Sequence, residues 1–238
     1  MLRQLSGIDM VLVGGQAINV WANLYLPRIE ALRTEGPFTS KDVDFLGDKP
    51  AVKECARRLN LGKAIFDAPF AREAPVNSGI VQYVDNAGVE RTIDVLSTVL
   101  GVNEHDVRKT AARVDIGGQS VRVMHPVLCV QGRGPLILQL GRKDGHTLKQ
   151  LRASILCARE FLADLVSVQR PREVYGWNEH LFAYATSREG IELYKRHRID
   201  VFKAVLVDDR LEEKFRRLRY PQMCRQVQFK RRNLERDR

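Results

Sequence analysis

Hydrophobic positions in the first 125 residues follow two spacings. Short β-rich runs predict strands at MVLVGG, TSKDVDFLG and GKAIFDA. The stretch GIVQYVDNAGVERTIDVLST reads as two strands joined at Asp85-Asn86-Ala87-Gly88, where Asn and Gly suit a hairpin turn. A further pair, AARVDIGG and QSVRVMHP, is split by Gly117-Gly118. Between these runs, helical spacing predicts a short opening helix and a longer one over QAINVWANLYLPRIEALR, which Pro27 should kink or break. PAVKECARRLNL is amphipathic, with its proline near the first helical turn.

After residue 125 the pattern becomes helical. TLKQLRASILCAREFLADLVSV carries an apolar stripe of Leu148, Leu151, Ile155, Leu156 and Phe161, and another helical stretch is expected through RIDVFKAVLVDDRLEEKFRRL. The change predicts an α+β unit, a mixed sheet with flanking helices over 1–125, followed by a mainly helical domain with a basic tail over 126–238. The boundary is expected in the glycine-rich passage QGRGPLILQLGRKDGH.

Length and a hydrophobic fraction of 44% allow a sizeable core in one domain or a compact pair. No apolar run reaches the roughly 20 residues that span a bilayer, and MLRQLSGIDM lacks the pattern of a signal peptide, so a soluble, cytoplasmic protein with no membrane partner is expected. Cys55, Cys129, Cys157 and Cys224 are scattered, with no CxxC pair and no histidine at ligand spacing, which disfavours zinc and predicts reduced cysteines. His125, before Pro126, is expected to cap or pack.

The net charge of +10 favours polyanionic partners. Acids and bases nearly balance up to about residue 100, whereas KFRRLRYPQMCRQVQFKRRNLERDR is heavily basic and carries Tyr220 and Phe229. This stretch reads either as a solvated helix with a frayed tail or as an RNA-contacting surface.

The candidate chemistry lies in three places. Asp42 and Asp44, at i and i+2 of a strand, project from one face opposite Val43 and Phe45, and repel each other unless a cation lies between them. Hard divalent ions prefer carboxylate oxygen, so Mg2+ or Mn2+ is the expected cofactor. Asp94 supplies a third strand acid in Thr-Ile-Asp-Val-Leu. Gly14 and Gly15 let backbone amides approach a phosphate, and the helix expected from about Gln16 turns its positive end toward it. GGQAIN lacks the three-glycine spacing of a dinucleotide fold.

In this order, VGGQA, KDVDF and TIDVL resemble the signature of the polymerase-β-like nucleotidyltransferases over roughly residues 10 to 100. HPVLCVQGR and RKDGHTLKQLRASILCAREFL are similar to the second half of the AbiE-type abortive-infection toxins of that superfamily. The resemblance implies a nucleotidyltransferase-type sheet, metal held by Asp42, Asp44 and Asp94, and nucleoside triphosphate bound near Gly14, Gly15 and Gln16. Where such proteins commonly carry a lysine this chain has Gln131, which leaves Arg133, Lys143 or Lys149 as phosphate contacts.

It further implies transfer of a nucleoside monophosphate to an acceptor: RNA, especially a tRNA end, first, then a protein hydroxyl, then a small molecule such as an aminoglycoside. A toxin role and a cognate antitoxin partner would follow. The rival reading is a catalytically silent protein of the same fold that binds RNA or a protein through its positive charge.

Overall fold

The computed structural model describes residues 1–38, 43–66, 77–140 and 145–236. These form a mixed α+β protein built on a seven-stranded sheet, β3-β4-β5-β2-β1-β7-β6. The strands are β1 Val11–Leu12, β2 Val43–Leu46, β3 Lys63–Ile65, β4 Asn77–Val84, β5 Glu90–Leu96, β6 Ala112–Ile116 and β7 Gln119–Val123. Strand β2 pairs antiparallel with β1 and parallel with β5, and β1 pairs parallel with β7.

Ten α-helices lie among the described residues: α1 Leu2–Leu5, α2 Gly14–Tyr25, α3 Ala31–Glu35, α4 Lys49–Arg58, α5 Glu104–Thr110, α6 Pro126–Leu138, α7 Gly145–Ser167, α8 Pro171–Thr186, α9 Arg188–His197 and α10 Tyr220–Arg236. None is long and apolar enough to cross a membrane. The chain divides into two compact units, Met1–Leu24 with Pro37–Gly132, and Tyr25–Gly36 with Arg133–Arg238.

The first unit contains the whole sheet. Its core takes Val11, Leu12, Phe45, Leu46, Val81, Ile93 and Val95 from the strands, all buried. Helix α2 buries Ala17, Ile18, Trp21 and Ala22, a spacing of one helical face, and Trp21 Nε1 donates to the carbonyl of Met124 at 2.8 Å. Each such large side chain contributes about 1.5–3 kcal/mol by leaving water. The α4 start is set locally: Asp48 accepts from the amide of Ala51 at 2.9 Å, and proline occupies the first turn.

Strand β1 is shorter than MVLVGG, because the two glycines already belong to α2. None of the four cysteines is in a disulfide, and burial pushes the Cys55 thiol up to about 11.

In the second unit, Pro27 does end the helical run, since α2 stops at Tyr25 and α3 restarts at Ala31. The connection is tied to α7: the Tyr25 hydroxyl donates to Asp164 at 3.0 Å, and Arg28 pairs with Asp164 and Glu160. Burial, with the charge of Asp164 next, raises the Tyr25 pKa far above its ordinary value, so its hydroxyl remains a donor.

The stretch RIDVFKAVLVDDRLEEKFRRL departs from the expected helix. It forms a 3-10 turn over Val201–Ala204, irregular chain over 205–212 and a π-helical turn over Phe215–Arg219. Tertiary hydrogen bonds explain this. The Asn178 amide on α8, fully buried, donates to the carbonyl of Leu206 and accepts from its N–H, both at 2.9 Å, occupying the backbone groups a helix would need. Asn178→Leu should therefore leave two buried backbone groups unsatisfied and destabilise the protein by about 2–4 kcal/mol, read as a lower urea midpoint.

Candidate functional site

Parallel pairing of β2 with β5 places Asp44 directly beside Asp94, in a register that runs from Val43–Ile93 to Leu46–Leu96. Partners in such a register share a sheet face about 5 Å apart. Their hydrophobic neighbours Phe45 and Val95 are also in register and point to the opposite, buried face. Both acids are half-buried. Two carboxylates at that spacing repel by about 3 kcal/mol at an effective dielectric of about 20, and a positive charge beside them relieves that repulsion.

Helix α2 starts beside this pair. Val13 donates its amide to the carbonyl of Asp44 at 2.9 Å, which fixes the end of β1 against β2. Gly14 follows in the left-handed region at φ +63°. A Cβ there would overlap Asp44 Oδ2 and stand 3.0 Å from Cγ, so the Asp44 carboxylate lies against the backbone that opens α2. Gly15 is buried, and Gln16 is half-buried and accepts a hydrogen bond from Asn19.

The structure thus brings Gly14, Asp44 and Asp94 together. Asp42 and Lys143 lie outside the described residues. Arg133, on α6 in the second unit, is buried at 8% exposure, whereas Lys149 is exposed on α7. Gln131 is committed elsewhere: its Nε2 donates to the carbonyl of Gly101 at 2.7 Å and pins the segment before α5. His125 caps α6, its Nδ1 accepting from the amide of Val127 at 3.2 Å, so its proton resides on Nε2.

Among the described residues no group of three or more His, Cys, Asp or Glu could hold a metal ion. The fit of a divalent ion is tested by the donor set itself. Magnesium is held by one or two carboxylates with substrate phosphates and water completing its shell, and Asp44 with Asp94 supplies two.

The sequence reading missed Asp9, Arg108, Arg113 and Arg122, which meet around the ends of β1 and β7. The signal was available. A hairpin turning at Gly117-Gly118 necessarily sets Arg113 opposite Arg122, and that register is the one adopted. No protein-family model and no curated protein matches this chain.

Proposed function

We propose that this protein is a metal-dependent nucleotidyltransferase that moves a nucleoside monophosphate from a nucleoside triphosphate to RNA. The single observation that carries this reading is Asp44 in register with Asp94, with the Asp44 carboxylate against Gly14 where α2 begins.

The chain's own groups divide the work. Amides in the first turn of α2 take the triphosphate, and Gly14 keeps that approach clear of a side chain. Asp44 and Asp94 hold the divalent ion, which when bound neutralises phosphate charge and acidifies the acceptor hydroxyl. The hydroxyl oxygen attacks the α-phosphorus and forms the new ester bond. The bond to the β-phosphate oxygen breaks, pyrophosphate leaves, and Asp94 accepts the hydroxyl proton.

RNA is favoured as acceptor by how the basic tail is sorted. Arg216, Arg217, Arg219 and Arg231 are committed to Asp209, Glu213, Glu179 and Asp200, and Arg231 also covers the Tyr194 ring at 3.8 Å. Met223 and Val227 anchor α10 in the second unit. Arg225, Phe229 and Arg232 fall on one exposed face, flanked by exposed Lys230. Phe229 is 59% exposed, an aromatic surface among cations that suits phosphates with a stacked base.

The experiment is to incubate the protein with Mg2+ and each labelled triphosphate against separate pools of RNA, protein and aminoglycoside. Label should appear in RNA and vanish with chelator. Label in protein or drug alone would overturn the acceptor, and metal-independent label would overturn the mechanism. The double variant R225E/R232E should weaken RNA binding and flatten its salt dependence by about 1.4 in the log–log slope, at about 0.7 per lost single-strand phosphate contact. An unchanged slope would return α10 to an ordinary solvated helix.

A further inference from the structure

A second cluster lies at the other end of β1 from Gly14. A cavity of about 230 Å³ opens there, with Leu5, Met10, Phe45 and Val121 on its apolar side and Arg113 and Arg122 on its polar side. Phe45 forms part of its lining from the sheet face opposite Asp44, so the cavity is separate from the paired acids. One wall is the loop between α1 and β1, which Arg58 holds by donating to the carbonyl of Ser6 at 2.7 Å.

Its charge is unbalanced. Arg113 and Arg122 are direct cross-strand partners on β6 and β7, an arrangement that destabilises a hairpin when both charges are alike. Asp9 answers Arg122 and, at 3.6 Å, Arg108. Arg122 is further fixed by donating to the carbonyl of Arg108 at 2.7 Å. Arg113 makes no ion pair with any described residue. Among the described residues that line the cavity, Asp9 is thus one carboxylate against two guanidinium groups, Arg113 and Arg122, while Arg108 outside it also pairs with Glu104 at 2.8 Å.

We propose that this cavity binds a small organic oxyanion, with the anionic head between Arg113 and Arg122 and an apolar body against Phe45 and Val121. The head supplies the missing counter-charge, and planar guanidinium groups suit a phosphate or carboxylate by paired hydrogen bonds. The volume falls below the ~300–1,000 Å³ of drug-sized pockets, so the body is a single ring or a short acyl chain rather than a nucleotide. The shared chemistry is an oxyanion on an apolar stem, and phosphate and carboxylate forms are separated by experiment.

The test measures Tm of the full chain against phenyl phosphate, phenylacetate and, at matched ionic strength, sodium chloride. At least one organic anion should raise Tm saturably, by about 5 °C at a hundredfold excess over Kd, while chloride does not. The larger response identifies the head group. Arg113→Ala should weaken binding at least about tenfold, as expected for loss of about 1.4 kcal/mol. Arg113 is exposed, so this variant should fold. Asp94→Asn should bind the probe as the parent does. No response to either organic anion, an equal response to chloride, an unchanged Kd in Arg113→Ala, or loss of binding in Asp94→Asn would each overturn the proposal.

Discussion

Asp94→Asn and Asp44→Asn should each reduce Mg2+-dependent nucleotide transfer at least about 10²–10³-fold, the range lost when a single preorganised electrostatic group is removed from a reaction centre. Each substitution keeps the shape of the side chain and removes one of two like charges that the β2–β5 register forces together. Stability in the absence of metal should therefore hold or rise, because the repulsion between the pair is relieved. The two measurements pull apart a catalytic and a structural role. A variant that transfers label normally would dismiss the acid pair as the reaction centre, and one that loses activity only through unfolding would show itself in the urea midpoint.

Gly14→Ala should be strongly destabilising for a change of a single methyl group. The left-handed backbone costs an alanine about 1–2 kcal/mol, and the overlap with Asp44 Oδ2 adds about 1–3 kcal/mol, for a total of about 2–5 kcal/mol. Gly117→Ala is the control, since its φ of +61° is nearly the same but its Cβ would meet open space. The control should lose only the backbone cost. The difference between the two, read from denaturant midpoints, isolates the contact with Asp44. If the site is the triphosphate cradle, the Gly14 variant should also lose nucleotide affinity beyond what its fraction folded explains. Equal midpoints for the two variants would mean that Asp44 moves aside freely and does not lie fixed against α2.

Local pattern was enough for much of the fold. Alternation in the strands, the Pro27 break, the Asp85–Gly88 and Gly117–Gly118 turns and the amphipathic α4 were legible, because each is set by spacing or backbone preference within a few residues. Alternation also placed Phe45 and Asp44 on opposite faces, and the basic character of α10 needed only composition.

The site's geometry depended on which strands became neighbours, and that is decided by contacts far apart in sequence. Nothing local in KDVDF or TIDVL states that Asp44 and Asp94 share a register, nor that the left-handed turn falls at Gly14 against Asp44. The same holds for Gln131, held by Gly101, and for the basic tail, where ion pairs to Glu179 and Asp200 turn some arginines inward and leave Arg225, Lys230 and Arg232 exposed. Asn178 makes the point most sharply. The apolar spacing of 201–206 reads as helix, yet one buried amide takes both backbone groups of Leu206, and a satisfied pair of buried hydrogen bonds outweighs a weak local preference.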